Sequence, residues 1–262
     1  MSFSPKMLVA AGNYSIGVQQ SKKDSFGPTL LFVHGIGVSS RYFLPFAKEC
    51  AKQYNILLVD LPGYGTAPKP DHPLTIPELA DVLLTYLKEA NVPRVIVIGQ
   101  SMGCQIAAHM AVKQPEVCEQ LILIGPTVNK WERNVFTQSL RLLQDIRREP
   151  GDANFVVFKD YLRMGPLRYL RTVQYMIADH IERTLHTCDT PTLIVRGSQD
   201  VISPKRWNVH LAQQMKHATA KEISNAPHLV QLAKPQELLS LCQDFIDSPQ
   251  PSRAIAKPKH TL

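Results

Sequence analysis

One serine lies between two glycines at a spacing that suits nucleophilic catalysis. Ser101 is the centre of GQSMG (residues 99–103), which directly follows the apolar run RVIVI (residues 94–98) and precedes a helical pattern. Small flanking residues are needed where a strand turns sharply into a helix, and such a turn exposes the serine Oγ at the helix N-terminus. The helix dipole and free N–H groups there favour developing negative charge. The pattern predicts a serine nucleophile, and the alternative is a strand–helix turn with an incidental serine.

A serine hydroxyl needs a general base and an acid that orients this base. Asp200 follows the apolar run TLIV (residues 192–195), and His228 lies in NAPHLV after a later strand pattern. Both positions fall at the carboxyl ends of strands, where parallel sheets place their active sites. We expect His228 to take the Ser101 proton and return it to the leaving group, while Asp200 holds the imidazole. The alternatives are a helix N-cap or loop carboxylate for Asp200 and a loop histidine for His228.

Backbone N–H groups are expected to stabilise the oxyanion that attack by the serine creates. One donor is the N–H of Met102, and the other comes from the HGIG loop that follows the run TLLFV. The glycines let this loop curl an N–H group toward the substrate, so we expect Ile36 as the second donor, with Gly37 as the alternative. His34, Gly35 and Gly37 are the candidate substrate contacts. For His34, hydrogen bonds that hold the loop are the favoured interpretation.

Short apolar runs alternate with helical patterns over most of the chain, which predicts βαβ units and a mostly parallel sheet. The predicted strands are Tyr14–Gln20 (an edge strand), Thr29–Val33, Asn55–Val59, Arg94–Ile98, Leu121–Ile124, Thr192–Val195 and Ala220–Ile223. The predicted helices between them are Arg41–Gln53, Ile76–Ala90, Ser101–Lys113, Pro204–Met215 and Gln236–Phe245. The fold class is therefore α/β.

The alternation stops in the middle of the chain. Residues 127–187, called the insertion below, contain no convincing strand pair and indicate amphipathic helices near Trp131–Arg148, Asn154–Arg163 and Arg168–Leu185. We therefore predict one core domain from residues 1–126 and 188–247, interrupted by this helical insertion. Residues 248–262 are rich in proline and basic side chains with little apolar content, and a disordered tail is expected there.

Taken together, these motifs resemble the α/β-hydrolase fold family. The matching segments are HGIG (34–37), DLPGYG (60–65), GQSMG (99–103), GSQD (197–200) and APH (226–228). They occur in the order of that family, and the resemblance spans residues 29 to about 246. It implies a mostly parallel sheet flanked by helices, a lid inserted after the sixth strand, and a Ser-Asp-His triad. Within the family, the sequence is similar to small cytoplasmic esterases and to carbon–carbon bond hydrolases of meta-cleavage products.

The predicted function is a serine hydrolase that cleaves a small carboxylic ester through an acyl-enzyme. Two alternatives stay open: a carbon–carbon bond hydrolase with the same triad, and a non-catalytic ligand-binding protein on this fold. Ser101 stands where epoxide hydrolases and haloalkane dehalogenases of the family carry Asp, so these two chemistries are not expected. Asp60 is expected to fix the LPGYG turn through backbone hydrogen bonds, and Cys104 is expected to be a buried packing residue.

Composition and charge exclude some classes of protein and limit the expected binding partners. The chain has 262 residues, 44% of them hydrophobic and 19% charged, which excludes a disordered chain. The net charge is +7, of which the tail and the insertion contribute +3 each. The core is nearly neutral, so nucleic-acid binding is not expected. In the insertion, Arg133, Arg141, Arg147 and Arg148 fall on one helix face. This is either a solvated face or a docking site for an acidic carrier protein that bears an acyl ester.

The cysteines indicate the cellular compartment, and the sequence motifs indicate whether a metal or cofactor is needed. The five cysteines are odd in number and well separated, which fits a reducing compartment. No secretory apolar region and no run of about 18 apolar residues is present, so a cytoplasmic protein without a membrane span is expected. His180, His186 and Cys188 match no common zinc spacing, and no P-loop or dinucleotide motif occurs. No metal or cofactor is expected.

Overall fold

A sheet of eight strands forms the centre of the protein in the computed structural model, which describes residues 3–21, 27–146 and 160–248. The strands are β1 (Met7–Ala11), β2 (Tyr14–Ser21), β3 (Thr29–Val33), β4 (Asn55–Asp60), β5 (Val95–Gln100), β6 (Cys118–Ile124), β7 (Thr192–Gly197) and β8 (Ala218–Ile223). Their order is β1-β2-β4-β3-β5-β6-β7-β8, in which β2 runs antiparallel to β1 and β4 and all other pairs are parallel. The predicted α/β architecture with a mostly parallel sheet is confirmed.

Helices cover the sheet on both faces. They are α1 (Leu44–Cys50), α2 (Ile76–Glu89), α3 (Met102–Lys113), α4 (Val135–Ile146), α5 (Pro166–Ala178), α6 (Ile181–His186), α7 (Lys205–Gln214), α8 (Val230–Ala233) and α9 (Pro235–Ile246). Neighbouring side chains of β3 show how the core divides, because successive residues of a strand point to opposite faces. Leu31 packs with α2 and α3, whereas Phe32 packs with α1 and α9. Most strands are therefore buried on both sides, as their continuous apolar runs predict.

The N-terminal edge differs from the prediction. The strand at Tyr14–Gln20 was expected at the edge of the sheet, but β1 lies outside it and pairs with β2 antiparallel. The connecting turn uses Gly12 at φ 60°, a conformation that suits glycine. The predicted edge strand is wrong because the short run Met7–Ala11, of which only Ala11 is buried, gives a weak strand signal on its own.

Two predicted helix spans of the insertion also need correction. The helix expected at Trp131–Arg148 is a 3₁₀ turn (Lys130–Glu132) followed by α4, because the Asn134 side chain accepts the Thr137 N–H at 2.8 Å and starts a new helix. The helix expected at Arg168–Leu185 is divided into α5 and α6 by the extended backbone of Asp179.

Other sequence predictions lie partly outside the described residues. Of the helix expected at Asn154–Arg163, only residues 160–163 are described, and these are helical. Arg147, Arg148 and residues 249–262 of the expected tail lie outside the described ranges. Across residues 3–21, 27–146 and 160–248, no helix has the length and apolar character needed to cross a bilayer.

Candidate active site

Ser101 occupies the sharp turn between β5 and α3. Its backbone has φ 54° and ψ −117°, a region that residues other than glycine rarely adopt. The two flanking glycines explain how the turn closes. A Cβ at Gly99 would lie 2.4 Å from the Gly103 carbonyl oxygen, and a Cβ at Gly103 would lie 2.0 Å from the Val33 carbonyl oxygen. The ends of β3 and β5 and the start of α3 therefore touch through their main chains, and this contact holds Ser101 at the helix N-terminus.

His228 and Asp200 form a buried pair beyond the ends of β7 and β8. The His228 Nδ1 lies 2.8 Å from Asp200 Oδ2, and the two residues are 5% and 3% exposed. The second carboxylate oxygen accepts the N–H groups of Ile202 and Ser203, each at 2.8 Å. Because this carboxylate accepts at every contact, a neutral His228 carries its proton on Nδ1 and its basic lone pair on Nε2. The pair can therefore act as a proton acceptor and its orienting acid.

The end of β6 brings the serine and the histidine to one place. The Ser101 N–H donates to the Ile124 carbonyl at 3.0 Å, and the next residue, Gly125, lies against the His228–Asp200 pair. Gly125 has φ 56°, and a Cβ there would lie 2.8 Å from His228 Cε1 and 3.1 Å from Asp200 Oδ2. Sequence reasoning missed Gly125, although a glycine directly after the strand LILI was a possible signal.

Arg196 holds the loop that carries Asp200. Its Nε donates to the Ser203 carbonyl at 2.9 Å and its Nη2 to the Asp200 carbonyl at 2.8 Å, while Nη1 pairs with Glu222. The side chain is almost fully buried. Sequence reasoning also missed this residue, and its only signal was a charged side chain at the end of the apolar run TLIV.

A buried chain of hydrogen bonds joins the HGIG loop to the histidine loop. The Gly35 N–H donates to the Tyr42 hydroxyl at 2.9 Å, and this hydroxyl donates to Gln100 Oε1 at 2.8 Å. The Gln100 Nε2 then donates to the His228 carbonyl at 3.4 Å. A Cβ at Gly35 would lie 3.2 Å from Ser101 Cβ, so the loop backbone passes directly beside Ser101. Neither Tyr42 nor Gln100 was predicted to serve the site.

His34 faces the loop rather than open space. It is fully buried, its Nδ1 donates to the Gly35 carbonyl at 2.8 Å, and its Nε2 accepts the Leu61 N–H at 3.1 Å. Burial lowers the pKa of this imidazole below its usual range, which agrees with a neutral ring. Both ring nitrogens are therefore used on main-chain groups. This geometry favours the loop-holding role over the substrate contact considered for His34.

The remaining candidates of the HGIG loop and α3 lie around Ser101. Met102 is the first residue of α3, where helix N–H groups have no partner within the helix. Ile36 follows Gly35 and is partly buried. Gly37 has φ 75°, and a Cβ there would lie 2.7 Å from the Tyr161 ring. Gly37 is therefore covered by a side chain of the insertion.

Asp60 is a buried anchor for the turn that follows β4. Its carboxylate pairs with Lys6 at 2.9 Å and accepts the Ser40 N–H at 2.9 Å and the Thr66 N–H at 2.9 Å. Burial by itself would raise the pKa of this carboxyl, but the Lys6 charge and the hydrogen bonds outweigh burial and lower the pKa to about 2. The predicted role of Asp60 in fixing the LPGYG turn is confirmed.

Two carboxylates attach the insertion to the core. Asp160 accepts the Ser39 hydroxyl at 2.6 Å and pairs with Arg41 at 3.1 Å, next to the HGIG loop. At the other end of α5, Asp179 accepts Gln105 Nε2 at 2.9 Å and contacts His109 Nε2 at 2.6 Å. Gln105 and His109 belong to α3, so the segment 160–179 is fixed to both sides of the site.

Two arginines of the basic face predicted for the insertion, Arg133 and Arg141, are described, and both are paired with carboxylates of the insertion itself. Arg133 pairs with Glu182 at 2.8 Å and also donates to the Asp179 carbonyl at 2.7 Å. Arg141 pairs with Glu132. These two arginines are therefore committed to internal ion pairs, and the expectation that they present free charge to an acidic carrier protein loses its support.

Cys104 behaves as a packing residue, and the histidines considered as zinc ligands lie at the surface, with His186 exposed and His180 partly exposed. The Cys104 thiol is fully buried, burial raises its pKa well above the usual range, and it donates to the Gly99 carbonyl at 3.2 Å. The packing role predicted for Cys104 is confirmed. Within the described ranges, no group of histidine, cysteine and carboxylate side chains is arranged to bind a metal ion.

Comparisons with known proteins agree with this geometry. Residues 28–164 match the family described as alpha/beta hydrolase fold. The chain is 26% identical over 250 residues to a pimeloyl-[acyl-carrier protein] methyl ester esterase of Xanthomonas campestris pv. campestris, which covers 84% of this chain and 95% of the relative. It is 21% identical over 240 residues to the (E)-2-((N-methylformamido)methylene)succinate hydrolase of Acinetobacter baylyi, with 85% and 91% covered.

A solved structure shows the same fold. The enol-lactonase of Burkholderia xenovorans superposes with a TM-score of 0.79 at 16% sequence identity, covering 92% of this chain and 100% of that chain. At this identity, the likeness bears on the fold alone.

Proposed function

Because the chain belongs to the alpha/beta hydrolase fold family and is a hydrolytic enzyme, we propose that Ser101, His228 and Asp200 cleave a carboxylic ester through an acyl-enzyme. The observation that carries this proposal is the buried 2.8 Å hydrogen bond between His228 and Asp200, next to a serine held at positive φ. The relative named as a methyl ester esterase supports the same class of reaction.

In the proposed first half-reaction, Ser101 Oγ attacks the ester carbonyl carbon while His228 Nε2 accepts the hydroxyl proton. The new Oγ–carbon bond is retained, the bond to the alcohol oxygen breaks, and His228 returns the proton to the departing alcohol. Asp200 keeps the imidazole in the tautomer that the reaction needs. In the second half-reaction, His228 takes a proton from water while the water oxygen bonds to the acyl carbon. The Oγ–carbon bond then breaks, the acid leaves, and His228 returns the proton to Ser101 Oγ.

The oxyanion of both half-reactions needs two donors, and we assign them to the N–H groups of Met102 and Ile36. Met102 stands at the start of α3, and Ile36 belongs to the loop whose backbone passes beside Ser101. Gly35 and Gly37 shape that loop, because a side chain at either position would meet Ser101 or Tyr161. Removing one such donor typically costs about 10²–10³ in kcat.

Labelling with a fluorophosphonate tests the nucleophile. We expect wild type and Cys104→Ala to be labelled and Ser101→Ala to be unlabelled. Labelling that persists in Ser101→Ala would reject Ser101, and an unlabelled folded wild type would favour a ligand-binding protein without catalysis. A series of p-nitrophenyl esters of graded chain length then reports the acyl size that the site accepts.

The carbon–carbon bond hydrolase is the second candidate function, since it would use the same triad. Product analysis separates the two reactions: ester cleavage releases an alcohol and an acid, whereas carbon–carbon cleavage of a ring-fission product loses its conjugated absorbance. Turnover of such a product at a higher kcat/KM than any ester in the series would favour the second candidate.

We further propose that residues 127–187 act as a lid on a core formed by residues 1–126 and 188–247. The contact of Tyr161 with Gly37 supports this role, because it places the insertion over the loop beside Ser101. The substrate is then a small ester enclosed under the insertion, and an ester carried by an acidic protein remains an alternative. A reducing, cytoplasmic location is supported by five buried cysteines, none of which forms a disulfide.

A further inference from the structure

Helix α5 presents an apolar face to solvent. Leu167 is 83% exposed and Leu170 is 50% exposed, whereas Thr172 and Met176 are buried. At about 100° per residue, Leu167 and Met176 lie on opposite sides of the helix, so the helix already buries one face without its leucines. A surface helix normally turns polar side chains outward, and adjoining exposed leucines mark an interaction surface.

Cationic side chains surround these leucines. Leu162 (67% exposed) and the exposed Arg163 lie just before α5, and the exposed Arg171 lies on α5 beside Leu170. Arg163 and Arg171 form no ion pair with any described residue. The sequence of α5 contains two arginines and no acidic residue. The outer face of α5, defined by Leu162, Arg163, Leu167, Leu170 and Arg171, therefore combines apolar side chains with positive charge that no described carboxylate pairs.

The inner side of the same helix lies toward the catalytic site. The Tyr169 ring is 5.1 Å from the Tyr161 ring, and Tyr161 covers Gly37 of the HGIG loop. The Arg168 Nη2 donates to the Pro70 carbonyl and fixes the helix to the loop after β4. Helix α5, which carries the outer face, therefore belongs to the part of the insertion that lies over the HGIG loop.

We propose that the outer face of α5 docks on an anionic lipid surface. Leucines that enter the acyl boundary and arginines that meet phosphate headgroups are the two components of an interfacial helix. The leucines favour a lipid surface over a purely acidic protein partner. Leu167 and Leu170 are each at least half exposed on one turn of the helix, and transfer to an apolar phase lowers their free energy most. This inference goes beyond the proposed ester chemistry and does not depend on it.

The test measures binding of the full chain to vesicles by flotation, with no substrate present. Vesicles of phosphatidylcholine alone are compared with vesicles that also contain phosphatidylglycerol. Leu167→Glu and Leu170→Glu remove apolar contacts, Arg171→Gln removes one charge, and Leu8→Glu is the matched control because Leu8 is 57% exposed on β1. The kcat/KM for a short water-soluble ester reports in parallel on the catalytic site.

We expect wild type and Leu8→Glu to bind the phosphatidylglycerol vesicles equally. Each leucine variant should bind roughly tenfold or more weakly and Arg171→Gln roughly fivefold more weakly, with kcat/KM for the short ester unchanged. Absence of wild-type binding, equal binding by Leu167→Glu, or equal loss in Leu8→Glu would overturn the proposal. A self-association of wild type that Leu167→Glu abolishes, or binding of an acidic carrier protein in place of vesicles, would also overturn it and identify the other occupant.

Discussion

Replacing Tyr42 by phenylalanine tests whether the buried chain from Gly35 to His228 holds the site together. The hydroxyl of Tyr42 accepts the Gly35 N–H at 2.9 Å and donates to Gln100 Oε1 at 2.8 Å. Tyr42→Phe keeps the ring, which packs at 4.5 Å from the Phe43 ring, and removes only the oxygen. Two buried polar groups then lose their partner.

The expected magnitudes follow from those two groups. Each unsatisfied buried group costs about 1–3 kcal/mol, so the free energy of unfolding should fall by about 2–6 kcal/mol. The Gly35 segment also loses the contact that sets it beside Ser101. Misplacing the loop to which we assign one oxyanion donor should lower kcat by about 10–10²-fold, which is less than removal of the donor. We expect KM to change by less than about threefold, because the donor acts mainly on the transition state.

The assay measures kcat and KM for a p-nitrophenyl ester together with urea unfolding. Tyr54→Phe is the matched control, since the Tyr54 hydroxyl donates to Asp247 at 3.0 Å and to none of the candidate site residues. This control should lose stability and keep its kcat. A Tyr42→Phe enzyme with wild-type kcat, or an equal loss of kcat in Tyr54→Phe, would refute the positioning role.

Three further predictions concern the framework of the site. Gly125→Ala places a carbon 2.8 Å from His228 Cε1. We therefore expect kcat to fall by about 10²-fold, while urea unfolding still shows one cooperative transition. A wild-type kcat in this variant would contradict the packing argument. Arg196→Met should lower kcat roughly tenfold and destabilise the fold by about 2–3 kcal/mol, because two carbonyls of the Asp200 loop lose their donor. The control is Lys205→Met, which removes only an exposed cation 3.9 Å from Glu222. This control should change neither kcat nor the stability. The pKa of Asp60 in the folded chain is about 2, against an ordinary 3.8. At pH values above 3.8, the charged carboxylate therefore stabilises the fold by about 2 kcal/mol. This contribution is lost as the pH falls from 3.8 toward 2. The difference in unfolding free energy between wild type and Asp60→Asn should therefore shrink over that acid range, and a difference independent of pH would argue against the ion pair with Lys6.

Much of the fold follows from local sequence signals. The strand ends that carry Ser101 and Asp200 were predictable, because each follows an apolar run that is typical of a buried strand. The strand before His228 gives a weaker signal, since only one residue of Ala218–Ile223 is buried. The helix that begins after Ser101 was predictable from the same strand–turn–helix pattern. These signals lie within a few residues of the side chains that they position.

The supporting residues were not predictable, because their partners are distant in sequence. Tyr42 serves the site only through Gln100, which lies 58 residues away. The break between α5 and α6 depends on the carboxylate of Asp179, which meets His109 on α3, 70 residues earlier. A periodic pattern cannot show such contacts, so it predicted one continuous helix.

The glycines around Ser101 and His228 also constrain how this protein can be changed. Added carbon atoms at Gly99, Gly103 and Gly125 would meet main chain or the His228 ring within 2.8 Å. Substitutions around the site are therefore restricted to those that keep glycine at these three positions. Tyr161, in contrast, reaches the site from the insertion through a side chain. Laboratory evolution of a new substrate range should accumulate its successful substitutions in the insertion and leave the strand ends unaltered.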